Sequence, residues 1–182
     1  YIKEQIIHEG RKYDAVHHLP GVMVGKNSVM MGDLGEVPLT RSDGIILIPV
    51  QSSPTGPDGE YYSPGGGFTY TDCLLLMGRW CDDDGLSWTT SDRIVGDPKR
   101  TTRGLIEPTI AELQDGSILM VMRGSNDRNH DLPGYKWMAR SYNGGQTWST
   151  PKPWTYTDNS AFFSPSGTSQ LIPHSNGSLY WM

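Results

Sequence analysis

The sequence predicts an all-β chain assembled from propeller blades, and three observations predict it. Two short motifs recur in the same order: EVPLTRSDGIILIPV (Glu36 to Val50) then CDDDGLSW (Cys81 to Trp88), and IEPTIAELQDGSILMVMR (Ile106 to Arg123) then SYNGGQTW (Ser141 to Trp148). The closing tryptophans, Trp88 and Trp148, stand 60 residues apart, and a third copy of the first motif opens in SQLIPHSNGSLYWM (Ser169 to Met182). A period of that size, in a chain whose apolar residues alternate with polar ones, reads as four-stranded blades. Composition agrees, because 22 Gly and 13 Pro supply many turns and no amphipathic helix of useful length is present.

Residues 1–33 read as the tail of an earlier blade, with QIIHEG and GVMVGKNSVMM as candidate strands. The first full blade covers 36–96, with strands EVPLTR, IILIPVQ, FTYTDCLLLMGRWC and SWTTSDRIV. Asp43-Gly44 between the first two is a strong hairpin signal. The second covers 107–154, with strands EPTIAEL, SILMVMR, YKWMARSY and TWSTPKPW, and Asp115-Gly116 takes the same hairpin position. The next blade starts at 165 and holds two strands, joined at Asn176-Gly177. The chain thus holds about three blades' worth of a propeller. It ends within the apolar strand SLYWM, so it is expected to need further blades or another chain to close, and to self-associate otherwise.

Strand alternation sorts the loops by end. The hairpin turns and the SYNGGQTW-type turns share one end. The connections 52–67, 97–106, 124–134 and 155–165 share the other, and they are longer and richer in charged and aromatic residues. Binding residues concentrate where a rigid scaffold presents such connections. Glu107 opens one strand and Arg123 closes its hairpin partner, so both are expected at this mouth. A carboxylate and a guanidinium there suit a sugar that carries its own carboxylate; a structural salt bridge is the other reading. Arg103 sits on a connection at the same mouth and is a further substrate-binding candidate.

Several classes are excluded or unsupported. A net charge of −5 gives no reason to expect nucleic acid. No apolar run approaches the roughly 18 residues of a membrane span. YIKEQIIHEG does not resemble a signal peptide, and localisation stays open, a secreted or periplasmic one included. No metal or cofactor is expected: His17-His18 lacks a third ligand at a recognisable spacing, and Asp82, Asp83 and Asp84 lack the spacing of a calcium loop. Cys73 and Cys81 fall in one strand, roughly 26 Å apart by strand rise, too far to pair. Asn176-Gly177-Ser178 is a formal glycosylation sequon that turn chemistry explains equally. Tyr61, Tyr62 and Phe68 stack on a sugar or pack a long loop.

SYNGGQTW resembles the Asp-box, Ser-x-Asp-x-Gly-x-Thr-Trp, with Asn143 at the Asp position; CDDDGLSW is a looser copy with Asp83 there. With these repeats and EPTIAELQDGSILMVMR, the chain resembles the exo-α-sialidase (BNR-repeat neuraminidase) superfamily over residues 36–182. The resemblance implies a sialidase-type propeller, six-bladed when complete, and a glycoside hydrolase acting on a terminal acidic sugar of a glycan. It implies that Glu107 polarises a tyrosine nucleophile and that Arg123 is one of three arginines holding the substrate carboxylate. Tyrosine is the sialidase exception among glycosidase nucleophiles. The other members of that site would fall outside residues 1–182, so this segment alone is expected to be inactive. EVPLTRSDG matches the family's Arg-Ile-Pro start only loosely, and Arg41 falls beside the wrong turn. A non-catalytic carbohydrate-binding or scaffold propeller is the alternative, as is a related hydrolase or lyase of other sugar specificity; some of those use a catalytic His, which makes His130 of NDRNHD a further substrate-binding candidate beside its reading as a surface loop residue.

Overall fold

The computed structural model describes residues 6–8, 11–13, 37–54, 58, 60–63, 69–81, 85–126, 131, 134–161, 164 and 167–182. Twelve strands and no helix occur among them. A short antiparallel hairpin comes first, β1 (Ile6–His8) with β2 (Arg11–Tyr13). Sheet I contains β3 (Leu39–Thr40), β4 (Ile46–Ser52), β5 (Asp72–Cys81) and β6 (Gly85–Thr90), antiparallel and in sequence order. Sheet II repeats that meander with β7 (Leu105–Glu112), β8 (Ile118–Gly124), β9 (Lys136–Ser141) and β10 (Lys152–Pro153). A last hairpin pairs β11 (Leu171–Pro173) with β12 (Leu179–Trp181).

Sheet II is apolar on both faces, and each face covers a neighbour. Ile118, Met120, Met122, Trp137 and Ala139 pack on Leu47, Cys73 and Leu75 of sheet I. Leu119, Val121 and Ala111 point the other way and pack on Leu171, Leu179 and Trp181 of the last hairpin. Period-two alternation therefore runs between two apolar faces, which is why SILMVMR reads as a continuous apolar run. Each fully buried aliphatic side chain contributes about 1.5–3 kcal/mol.

The hairpin turns share one construction. Asp43, Asp115 and Asn176 each accept the amide two residues on, at 3.2, 3.0 and 2.9 Å, and a glycine follows at φ +81, +76 and +85°. The side chain copies a backbone turn while glycine takes the left-handed position at little cost. A fourth copy sits where the sequence suggested only an irregular loop: Asp158 accepts from Ser160 N–H at 2.9 Å, and Asn159 takes φ 64°. SYNGGQTW also forms the self-contained turn expected of it. Ser141 Oγ accepts from Gly145 N–H at 2.9 Å, and Asn143 Oδ1 accepts from Thr147 N–H at 3.0 Å. Trp148 packs on the core beneath it.

Strand boundaries move from those expected. β6 stops at Thr90, and the DRIV segment makes only an isolated bridge, Ile94 to Cys73. β10 keeps two residues of TWSTPKPW. Pro49 lies inside β4, and β3 is too short to reach it, so its missing N–H leaves no ladder partner unserved. Cys73 and Cys81 share β5, and Cys73 is buried outside any disulfide, its thiol donating to Leu105 O at 3.2 Å. GVMVGKNSVMM, His17-His18, Asp82 to Asp84, Phe68 and His130 lie outside the described residues.

Candidate functional site

At one end of sheets I and II, β4 and β8 finish while β5, β7 and β9 begin. Glu107 and Arg123 meet there. Arg123 Nη1 donates to Glu107 Oε1 at 2.5 Å, and the two side chains are 19% and 12% exposed. The Asn143 turn lies beyond Ser141, at the opposite end of β9.

A one-residue irregularity makes that meeting possible. Ile106 stands opposite Arg123, but Thr109 stands opposite Val121, so Glu107 and Pro108 together oppose one residue, Met122. In a regular ladder Glu107 would share Met122's face, and Met122 is fully buried in the core against sheet I. The β-bulge re-aims the carboxylate toward Arg123. Glu107 takes φ 52° to do so, a left-handed conformation uncommon for a residue with a Cβ. Its amide points at the neighbouring sheet and donates to Gln51 Oε1 at 2.9 Å. Pro108 explains the position of the bulge, since it has no amide to give the ladder.

Lys136, the first residue of β9, stands directly across from Arg123 and is 2% exposed. Its ammonium donates to the carbonyl of Gly167, in the connection leading to β11. Burial lowers its pKa most, the Glu107 carboxylate opposes that shift, and the Arg123 guanidinium adds to it. Three ionisable groups therefore share one electrostatic environment, with two cations against one carboxylate. Glu107 Oε2 is buried and has no hydrogen-bond partner among the described residues.

Around this cluster the 97–104 connection is well tied. Arg103 is half-buried on the 97–104 connection. Its amide donates to Ser125 O at 3.0 Å, and its carbonyl accepts from Thr71 N–H at 3.0 Å. Arg100 lies 5.0 Å over the Trp137 ring. Tyr62 packs edge-to-face on Tyr70 at 5.6 Å, which supports loop packing over a stacking platform. Burial pushes the Tyr70 hydroxyl up to about 12. Asp72, opposite Ser52 at this end, is 2% exposed and paired with Arg93 at 3.2 Å. Burial raises it to about 6, against the pull of Arg93.

Arg41 is at the other end. It pairs with Asp43 at 2.9 Å and donates to Gly144 O at 3.1 Å, tying a hairpin of sheet I to the Asn143 turn of sheet II. Surface cavities of about 390, 440 and 440 Å³ beside Gln114, Trp154 and Tyr142 are lined by neither Glu107 nor Arg123. Among the described residues no group of His, Cys, Asp and Glu is arranged to hold a metal, and no helix is long and apolar enough to cross a membrane.

A family model described as a BNR repeat-like domain matches residues 10–178. The chain belongs to that family. BNR repeat-like domains fall in the sialidase superfamily, so the resemblance carried by the repeated turns holds. No curated protein matches the chain. A crystal structure of a protein of unknown function from Dyadobacter fermentans DSM 18053 is similar to this BNR repeat-like chain, with a TM-score of 0.57 at 17% identity. The similarity covers 86% of this chain and 34% of that one, so the chain spans about a third of the solved protein's length. At that identity the likeness concerns the fold alone.

The sequence placed Glu107 and Arg123 at one end but missed the bulge and the buried residues at that end. Lys136 was legible in principle, since it begins the strand that pairs with the one Arg123 ends. Pro108 inside a strand was the available signal for the bulge. Gln51 and Asp72 carried no signal, because their roles depend on stacking between sheets and on burial.

Proposed function

We propose that sheets I and II are successive blades of a sialidase-type β-propeller, and that this chain carries part of the site of a glycoside hydrolase acting on a terminal acidic sugar. The observation that carries the reading is the bulge at Glu107, where a strained backbone brings a carboxylate to Arg123 at the end bearing the long connections. Backbone strain of this kind clusters at functional sites.

Glu107 Oε2 is the free acceptor. In the complete protein it takes the hydroxyl proton of a tyrosine supplied by another part of the chain as that oxygen bonds the anomeric carbon; the glycosidic C–O bond breaks, and the aglycone oxygen leaves with a proton from a general acid that the complete protein also supplies. A neutral tyrosine hydroxyl approaches a carboxylate-bearing anomeric centre without the repulsion a carboxylate nucleophile would meet. Arg123 holds the sugar carboxylate through its guanidinium edge. Arg103 and His130 are proposed to contact the sugar from the neighbouring connections.

The test is kinetic, on the complete protein with fluorogenic glycosides. Glu107→Gln should lose most turnover while the fold persists. Arg123→Ala should weaken binding of acidic sugars about 10- to 100-fold, as expected for one charge-assisted contact. A non-catalytic carbohydrate-binding propeller is the second reading, favoured by the direct 2.5 Å contact that already satisfies Arg123 in part. Normal turnover in Glu107→Gln would sink the hydrolase assignment, and unchanged affinity for every acidic sugar in Arg123→Ala would sink the clamp.

A further inference from the structure

We propose that Lys136 is a positioning residue for acidic-ligand recognition: its buried ammonium keeps Glu107 neutralised when Arg123 turns from Glu107 to the anionic group of a ligand. This rests on the proposed acidic-sugar reading of the same site. Arg123 is engaged by Glu107 at 2.5 Å in the free protein. A ligand carboxylate must compete with Glu107 for it, and a part-buried carboxylate deprived of its cation is costly. Lys136 removes that obstacle. It stands across the ladder from Arg123, it is 2% exposed, and its charge is coupled to both Glu107 and Arg123.

The charge count supports the exchange. Among the described residues of the cluster, two cations and one carboxylate leave one positive charge in excess, in a setting that screens little. An anionic ligand balances it, and a neutral one does not. The contact from Nζ to the Gly167 carbonyl uses one of three ammonium donors and fixes the side chain in place. Gly167 lies in the connection to β11, so the same residue ties the next hairpin to the mouth.

The experiment is calorimetric titration of the complete protein with glucuronic acid and with N-acetylneuraminic acid, each against its methyl ester. Wild type should bind at least one acid more tightly than its ester. Lys136→Met should lose at least 10-fold of that preference with ester binding unchanged, Lys136→Arg should retain it, and Lys136→Gln should repeat the loss should the Met variant fold poorly. An unchanged acid-to-ester ratio in Lys136→Met or Lys136→Gln overturns the proposal. So does equal weakening of acid and ester, which would make Lys136 only a pin for Gly167. A wild type that binds neither acid overturns this inference together with the acidic-sugar assignment. If Glu107→Gln loses turnover while the Lys136 variants keep the ratio, this inference alone fails.

Discussion

The carboxylate of Glu107 reaches the guanidinium of Arg123 only because β7 carries one more residue than β8 between Ile106 and Thr109. The inserted residue costs ladder regularity and a left-handed φ of 52°. The return is a charged pair placed outside the apolar core that Met122 enters on the facing strand.

That strain is measurable. Replacing Glu107 by Gly or by Ala removes the same ion pair, but only Gly adopts this conformation freely. Glu107→Gly should therefore be more stable than Glu107→Ala by about 1 kcal/mol in chemical denaturation. Equal stabilities would show that the backbone there is unstrained.

Asp72 should make stability depend on pH. Its folded pKa, about 6, lies above the ordinary aspartate value of 3.8, so the native state binds the proton more tightly than the unfolded chain. The stabilisation this gives is full below about pH 4 and lost as pH rises through about 6. Asp72→Asn should be more stable than wild type at pH 8 by about 1–3 kcal/mol, with the gain fading toward pH 4. Melting temperatures at the two pH values check this. A variant less stable at pH 8 would mean that the Arg93 ion pair outweighs burial.

Two glycines with nearly the same φ should respond differently to a methyl group. A Cβ at Gly104 would lie 2.0 Å from the carbonyl oxygen of Thr71, and one at Gly116 would meet nothing within 4 Å. Gly116→Ala should cost about 1 kcal/mol from the left-handed backbone alone. Gly104→Ala should cost more than about 3 kcal/mol, because Leu105 N–H bonds that same Thr71 oxygen at 2.9 Å. Similar losses in thermal unfolding of the two variants would refute the close approach.

The Asn143 turn should tolerate the aspartate of the motif it resembles. Asn143 Oδ1 accepts from Ser141 Oγ and Thr147 N–H, which a carboxylate also does. The Asn143 Nδ2 contact to Thr147 Oγ1 can be reversed by rotating the hydroxyl. Asn143→Asp should change stability by less than about 0.5 kcal/mol, while Ser141→Ala, which orphans the Gly145 amide, should cost about 1–3 kcal/mol. Denaturant midpoints compared at constant slope decide it.

Turns and strand order were legible in the sequence because their causes are local. Asp43-Gly44, Asp115-Gly116 and Asn176-Gly177 each place an acceptor two residues before the amide it binds and a glycine at the left-handed position. Alternating directions then put Glu107 and Arg123 at one end without any knowledge of packing. The boundaries of β6 and β10 were not legible, because the Leu75 and Arg140 amides there go to the side-chain hydroxyls of Ser91 and Ser149 instead of to a strand backbone.

The sequence by itself determined the repeated meander, its turns and the end at which the charged pair lies. Tertiary structure decided which way Glu107 faces, what neighbours it and how deeply. Pro108 forbids a regular ladder, but only the apolar contact between sheets I and II makes Met122's face unavailable to a carboxylate. Gln51 reaches the Glu107 amide from 56 residues away, and Lys136 meets Arg123 only through ladder pairing. Such contacts arise from stacking and burial, whose free energy depends on surfaces far apart in the chain, and no local pattern of residues records it.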